Sequence, residues 1–185
     1  VVGLSMGAFA TLHFGMRYAH TRSSSRALSL TLAGCGTGSH PDVHEAFKKD
    51  SLALGESLMA HGMQPASESY CHGPTRLPFL RKNPRGHAEF LQQFCEHSSL
   101  GSGLTAIGYQ GRRPSLYALR EAMARIAVPT LILCGDEDEP CMDPSLMLKR
   151  TIPGSQLAFL PNSGHGINLE EPALFNQLLM DFLTS

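Results

Sequence analysis

The sequence has 185 residues, of which 42% are hydrophobic and 17% are charged, and its formal net charge is -1. This length suits one domain with a sizeable insertion, and the absence of a long apolar run argues against a membrane span. The near-neutral charge argues against nucleic acid or an anionic membrane surface as the main partner. We therefore expect no nucleic-acid partner and no membrane partner.

The cysteines are odd in number and widely spaced: Cys35, Cys71, Cys95, Cys134 and Cys141. Because no CxxC pair occurs, they indicate neither a disulfide framework nor a zinc knuckle. Cys35 and Cys134 lie in or at the end of apolar runs, where cysteine usually serves as a small core residue. This use of cysteine predicts a cytoplasmic protein.

The chain begins with a Gly-x-Ser-x-Gly sequence at residues 3–7. Val1 and Val2 read as the end of a buried strand, and residues 8–18 read as a helix rich in small side chains. A glycine-flanked serine between a strand and a helix is typical of a sharp turn that exposes a nucleophile. We expect side chains at Gly3 and Gly7 to collide with each other or with a neighbouring strand, and Ser5 to adopt strained backbone angles. A turn without chemistry is the alternative.

The next part of the chain divides into a strand and a long irregular insertion. Residues 26–34 are predicted as a parallel strand. From Thr37 to about Arg113, helical pieces are separated by glycine, proline and polar stretches, with helices predicted over 41–59 and 85–97. Pro114 begins a further predicted helix, in which Leu116, Leu119, Met123 and Ile126 share one face. The expected organisation is a core segment over residues 1–36, a helical cap insertion over 37–113 and a second core segment over 114–185.

The last 60 residues alternate strands and helices. Strands are predicted over 128–135 and 156–160. A short helix is predicted from Asp143 until Pro153, and a final helix begins near Glu171. This alternation predicts an α/β fold, a parallel sheet covered by helices, with its site beyond the carboxyl ends of the strands.

Three predicted strand ends carry residues with catalytic chemistry. Ser5 follows the first strand, an acidic cluster at 136–139 follows Cys134, and His165 follows the strand ending at Leu160. Serine, acid and histidine in this chain order are the order of a hydrolase triad on a parallel sheet. Spacing alone leaves Asp136 and Asp138 as rival acids, and a loop-capping role remains the alternative for His165.

These motifs resemble those of the cap-bearing α/β-hydrolases, which include enol-lactonases, esterases and carbon–carbon bond hydrolases of aromatic degradation. The resemblance covers essentially the whole chain and implies the C-terminal part of an α/β-hydrolase fold. In that family the triad acid usually stands three residues after the glycine that ends its strand, which implies Asp138 rather than Asp136. About 80–100 residues usually precede the serine turn and supply one donor to the oxyanion. We therefore expect a chain that is inactive on its own and that leaves the strand at 27–34 as a sheet edge.

The resemblance implies a serine hydrolase that cleaves a small ester, lactone or related carbonyl substrate. Ser5 would be the nucleophile, His165 the general base and acid, and Asp138 the residue that orients the imidazole. The backbone N–H of Met6 would donate to the oxyanion. The alternative is a non-catalytic member of the fold that acts as a ligand receptor. The expected partner is a small-molecule substrate, and a homodimer stays open.

The insertion offers further candidate binding residues. Six basic residues could bind a substrate carboxylate, although a solvated basic face is the commoner meaning: Arg76, Arg81, Lys82, Arg85, Arg112 and Arg113. Large apolar residues either line a pocket or form the insertion's own core: Phe47, Met59, Met63, Phe79, Phe90, Phe94 and Tyr109. His40 and His44 stand at a metal-ligand spacing without a recognisable third ligand, and the glycines at 34–38 lack dinucleotide-binding spacing. We therefore expect no metal and no cofactor.

Overall fold

A four-stranded parallel sheet forms the centre of the protein. The computed structural model describes residues 1–21, 23 and 25–184. The strands lie side by side in chain order: β1 (Val2–Leu4), β2 (Leu30–Ala33), β3 (Thr130–Gly135) and β4 (Gln156–Leu160). Their register places Gly3 opposite Leu32, Leu32 opposite Ile132, and Ile132 opposite Leu157. All four carboxyl ends therefore meet at one edge of the sheet.

Helices connect these strands in the order that the α/β prediction requires. In chain order they are α1 (Met6–Tyr18), α2 (Pro41–His61), α3 (Gln64–Cys71), a 3₁₀ turn (Pro74–Arg76), α4 (Leu77–Lys82), α5 (Pro84–Glu96), α6 (Ser99–Thr105), a π-helical turn (Ala106–Gln110), a 3₁₀ turn (Leu116–Leu119), α7 (Arg120–Met123), α8 (Glu139–Thr151), α9 (Ile167–Glu170) and α10 (Pro172–Thr184). No helix of the described residues is long and apolar enough to cross a membrane.

The sheet buries apolar side chains on both of its faces. On β3, Ile132 packs in a cluster with side chains of α1 and α8, including Phe9 and Leu148. Leu131 and Leu133 belong to a separate cluster that contains side chains of α10. Because successive side chains of a strand point to opposite faces, this uninterrupted apolar run requires helices on both sides of the sheet. The predicted fold class is therefore confirmed.

The second strand is shorter than predicted and lies inside the sheet. β2 spans Leu30–Ala33 rather than 26–34. Before it, the N–H of Arg26 donates to the carbonyl of Tyr18 at the end of α1 rather than to a neighbouring strand, and Leu28 is 94% exposed. The expectation that this strand forms a sheet edge is wrong, since β2 pairs with both β1 and β3. The outer strands among the described residues are β1 and β4.

The helix after β3 begins before the proline that predicts its start. The helix predicted from Asp143 begins four residues earlier, at Glu139, with Asp138 as its N-cap and Pro140 in its first turn. Pro144 lies inside this helix and packs against Gly36, where an added Cβ would lie 2.3 Å from the proline Cβ. Pro144 is the sixth residue of α8, beyond its first turn, so it removes the hydrogen bond that would reach the carbonyl of Pro140, and the helix nevertheless continues to Thr151.

The segment between β2 and β3 is mostly helical. The helices predicted over 41–59 and 85–97 correspond to α2 and α5, whereas α3, α4 and α6 were not predicted. The continuous helix expected from Pro114 is divided into a 3₁₀ turn and α7. We call residues 37–113 the insert; its limits as a separate unit stay a prediction, and the last residue of the segment 114–185 lies outside the described part of the chain.

Candidate active site

Ser5 occupies the turn between β1 and α1 with a strained backbone. Its φ of 54° is positive, which an L-residue adopts only at a cost of about 1–3 kcal/mol. A Cβ on Gly3 would lie 2.1 Å from the carbonyl oxygen of Gly7, so this turn requires glycine at position 3. The same expectation for Gly7 is wrong, because a Cβ there would meet no atom of the described chain within 4 Å.

His165 connects Ser5 to Asp138 through its two ring nitrogens. Nε2 lies 2.7 Å from Ser5 Oγ, and Nδ1 lies 2.7 Å from Asp138 Oδ2. Asp138 is completely buried, His165 is 6% exposed and Ser5 is partly exposed. The three residues follow β1, β3 and β4, so the carboxyl ends of three parallel strands bring them together. An imidazole between a hydroxyl and a carboxylate can take the hydroxyl proton while the carboxylate orients the ring.

The rival acid Asp136 points elsewhere. It is exposed, and its Oδ1 accepts a hydrogen bond of 3.1 Å from the backbone N–H of Ser163. Of the two acids that the sequence left open, the structure therefore brings Asp138 to the imidazole. Asp136 instead fastens the loop after β4 to the loop after β3.

The backbone N–H of Met6 lies at the N-terminus of α1, one residue after Ser5. In the described chain this N–H has no hydrogen-bond acceptor, and α1 has no acidic residue in its first turn. A free N–H at a helix N-terminus favours a negative charge. The position of Met6 is thus compatible with a donor to an oxyanion formed at Ser5.

Cys141 is a neighbour of this constellation that sequence reasoning did not select. Its Sγ lies 3.9 Å from His165 Nδ1 and 3.2 Å from Thr37 Oγ1. Burial, followed by the nearby Asp138 charge, raises the pKa of the Cys141 thiol well above its usual value, so the group stays protonated. Asp138, Cys141 and His165 place three ligand atoms within 4.8 Å of one another. Within this group, Asp138 Oδ2 and His165 Nδ1 already pair with each other at 2.7 Å.

Of the six basic residues that the sequence offers as carboxylate ligands, four contact acidic groups elsewhere or lie exposed to solvent. Arg81 Nη2 donates to Glu137 at 2.6 Å, and Lys82 Nζ donates to Glu171 at 2.5 Å and to Ser163 Oγ at 3.2 Å. These contacts tie the end of α4 to the loops after β3 and β4. Arg85 pairs with Glu89 on the surface, and Arg112 is exposed.

The other two arginines, Arg76 and Arg113, line a cavity of about 290 Å³ that also contains Ser5 and His165. Phe47 forms part of its wall. A second cavity of about 590 Å³ also reaches Ser5 and is lined by apolar side chains of the insert, including Met63 and Phe94. By contrast, Phe79 packs on Phe90 within the insert, with 6.2 Å between ring centroids. The apolar residues therefore divide between pocket walls and the core of the insert.

Arg113 is a buried cation whose neighbours are not acidic. It is 7% exposed, and its guanidinium carbon lies 3.8 Å from the ring centroid of Phe9 and 4.6 Å from that of Phe47. It donates to the carbonyl of Thr37, and in the described chain no carboxylate pairs with it. Burial lowers the pKa of Arg113 to about 10. Arg76 is half-buried, and its Nη1 is buried without a hydrogen-bond partner among the described residues.

The comparisons with known proteins agree with this architecture. A Bacillus subtilis (strain 168) protein provisionally named 2-succinyl-6-hydroxy-2,4-cyclohexadiene-1-carboxylate synthase is 35% identical over 191 residues, which cover 100% of this chain and 65% of the relative. Monoacylglycerol lipase ABHD6 of Bos taurus is 39% identical over 203 residues, covering 100% of this chain and 54% of the relative. The chain thus spans between half and two thirds of the length of these curated relatives.

Solved structures show the same fold at lower sequence identity. MenH from S. aureus superposes with a TM-score of 0.86 at 21% identity, covering 99% of this chain and 66% of that one. The enol-lactonase from Burkholderia xenovorans LB400 gives a TM-score of 0.77 at 20% identity, covering 100% of this chain and 65% of that one. The family model described as "Alpha/beta hydrolase family" matches residues 1–178. The chain therefore belongs to the alpha/beta hydrolase family.

Proposed function

We propose that Ser5, His165 and Asp138 form the catalytic triad of a serine hydrolase that cleaves a small ester, lactone or related carbonyl compound. The observation that carries this proposal is the unbroken path from Ser5 Oγ through the imidazole to Asp138, with 2.7 Å at each step. The strain at Ser5 supports it as well, because a positive φ at a non-glycine residue is retained where the surrounding structure requires that geometry.

In this mechanism the proton moves along that path. His165 Nε2 takes the hydroxyl proton as Ser5 Oγ attacks the substrate carbonyl, and the buried Asp138 carboxylate stabilises the imidazolium. The N–H of Met6 donates to the oxyanion, a contribution of about 3–4 kcal/mol to the barrier in comparable sites. His165 then returns the proton to the leaving group, and a water molecule releases the acyl group by the same route.

The relatives support the hydrolase class without defining one substrate. Their names include a monoacylglycerol lipase and an enol-lactonase, which support hydrolysis at an acyl carbon, whereas the Bacillus subtilis relative is named a synthase and adds nothing to that support. The competing function is a ligand receptor of the same fold. A receptor would bind a small molecule in the cavity at Ser5 but would leave the serine without covalent turnover.

A substrate that carries a carboxylate fits the cavity best. Arg113 is buried without an acidic partner among the described residues and lines the cavity that contains Ser5, and Arg76, whose Nη1 is buried and unpaired, lines the same cavity. Because burying an unpaired charge is costly, an anion that completes the hydrogen bonds of these guanidinium groups would bind there favourably. The Bacillus subtilis relative, whose name describes a carboxylate, supports this second element of the proposal.

Covalent labelling tests the central proposal. The full-length protein is treated with a fluorophosphonate probe and assayed with p-nitrophenyl butyrate, and the modified peptide is identified by mass spectrometry. We expect the label on Ser5, and we expect Ser5→Ala to abolish labelling and to reduce turnover by several orders of magnitude. A receptor would show neither labelling nor turnover, and unchanged turnover in Ser5→Ala would exclude Ser5 as the nucleophile.

A further inference from the structure

The backbone around His165 is held at three consecutive N–H groups. The N–H of Gly164 donates to Glu170 Oε2 at 2.6 Å, and the N–H of Gly166 donates to Glu170 Oε1 at 2.9 Å. Between them, the N–H of His165 donates to the carbonyl of Thr75 at 2.9 Å. One carboxylate therefore accepts hydrogen bonds from the backbone on both sides of His165.

The surroundings of Glu170 are compatible with these two hydrogen bonds. It is the last residue of α9 and is 6% exposed. Burial raises the pKa of this carboxyl, while the two backbone donors and then the nearby Lys82 and Arg76 charges act in the opposite direction. A buried carboxylate is retained at acceptable cost when both oxygens accept hydrogen bonds, as they do here.

The two glycines allow this close approach. A Cβ on Gly164 would lie 2.3 Å from the carbonyl oxygen of Thr75, and a Cβ on Gly166 would lie 3.3 Å from Glu170 Oε1. The chain is thus packed against the insert on one side and against the carboxylate on the other. Neither contact involves Ser5 or Asp138, so the arrangement acts on His165 through its backbone.

We propose that Glu170 is a positioning residue, whose carboxylate fixes the backbone on both sides of His165 so that the imidazole reaches Ser5 and Asp138 together. This inference rests on the proposed function. A displacement of about 1 Å in a reacting group can cost about 100-fold in rate. The loss of Glu170 should therefore reduce the chemical step rather than substrate binding.

Glu170→Gln keeps the shape of the side chain but places an NH₂ group opposite one of the two backbone donors. With p-nitrophenyl butyrate and the full-length protein, we expect kcat to fall by about 10- to 100-fold and KM to change by less than about threefold. Glu170→Asp, which keeps the charge but is one methylene too short to reach both N–H groups, should fall between Glu170→Gln and the wild type. Glu171→Gln is the matched control, because the neighbouring Glu171 bonds to Lys82 and not to the backbone beside His165.

A proton NMR measurement separates this inference from the proposed function. A low-field resonance from the His165 Nδ1 proton, identified by its loss in His165→Ala, reports on the contact with Asp138 even if the protein turns over no ester. We expect it to be shifted or broadened in Glu170→Gln and Glu170→Asp, and unchanged in Glu171→Gln. If both Glu170 variants keep the wild-type resonance, or keep wild-type kcat in an active enzyme, Glu170 does not position His165. Absence of labelling at Ser5 in a protein that shows the expected resonance changes would instead contradict the proposed function.

Discussion

Asp136 and Asp138 stand two residues apart and bind two different residues of the loop that follows β4. Asp138 Oδ2 lies 2.7 Å from His165 Nδ1, whereas Asp136 Oδ1 accepts a hydrogen bond of 3.1 Å from the backbone N–H of Ser163. One carboxylate is buried and the other is exposed. Both residues are aspartates, and their different positions predict different effects on activity when each one is substituted.

The two acids are separated by changing each to its amide. Asp138→Asn should reduce kcat by about 10⁴-fold, because an asparagine stabilises the wrong imidazole tautomer. Asp136→Asn keeps an oxygen that can accept from Ser163, so we expect a loss below about tenfold. Steady-state kinetics of both variants of the full-length protein measure the difference, and the reverse ranking would assign the triad acid to Asp136.

The carboxylate selectivity of the cavity is tested at Arg113. Arg113→Met keeps an unbranched side chain between Phe9 and Phe47 but removes the charge. We expect kcat/KM for an ester that carries a free carboxylate, p-nitrophenyl hemisuccinate, to fall by about tenfold or more, since a charge-assisted hydrogen bond contributes about 1.5–3 kcal/mol. The neutral p-nitrophenyl butyrate should lose much less.

Arg112→Met serves as the control for that experiment, because Arg112 is the exposed neighbour of Arg113 and this substitution removes the same charge. It should leave the ratio between the two esters unchanged. Equal losses on both esters in Arg113→Met would mean that Arg113 supports the fold of the pocket without selecting an anion.

The two glycines of the serine turn should respond differently to alanine. Gly3→Ala forces a Cβ to within 2.1 Å of a backbone oxygen, so the free energy of unfolding should fall by about 3 kcal/mol or more, at the upper end of overpacking costs. Gly7→Ala meets no atom of the described chain within 4 Å, and alanine favours helix formation, so the change should stay within about 1 kcal/mol of wild type. Urea unfolding measures both values, and equal destabilisation would contradict the geometry of the turn.

The buried cysteines should resist alkylation in the native protein. Burial raises the pKa of Cys35 and of Cys134 to about 12, and it raises that of Cys141 well above the usual range. Because the thiolate is the reactive form, a thiol with a pKa of 12 is reactive in only about one molecule in ten thousand at pH 8. Iodoacetamide at pH 8 should therefore modify the half-buried Cys95 first.

Mass spectrometry of the alkylated peptides checks this order. The urea-denatured protein is the control, in which all five cysteines should be modified. Rapid native modification of Cys141 would show that its thiol is more accessible and more acidic than its surroundings predict.

The sequence predicted the parts of the fold that depend on strong local patterns. The apolar residues at 131–133 and 156–160 predicted strands of a sheet, and the glycines that flank Ser5 predicted a sharp turn. The helix start predicted at Asp143 is wrong, because a pattern cannot distinguish a proline that lies inside a helix, as Pro144 does, from one that begins it. The short helices of the insert lack a long apolar stripe, so periodicity gave no signal for them.

The same limit applies to the residues around the site. Chain order and strand ends placed Ser5, Asp138 and His165 in one neighbourhood, because parallel strands end at one edge. Glu170 and Glu171 are adjacent and chemically identical, and only the folded chain shows that the first faces the glycines beside His165 while the second faces Lys82. Such distinctions depend on tertiary packing and leave no trace in spacing.

The hydrogen bond from the His165 N–H to the Thr75 carbonyl links the insert to the residue at the centre of the site. For the hydrolase that we propose, exchanging residues 37–113 with those of a relative is one way to alter substrate preference. Here an exchange of residues 37–113 would also replace a backbone acceptor of His165. On the proposed function, such an exchange would therefore alter the rate together with the selectivity, and a chimaera should keep the 3₁₀ turn at Pro74–Arg76 so that only the selectivity changes.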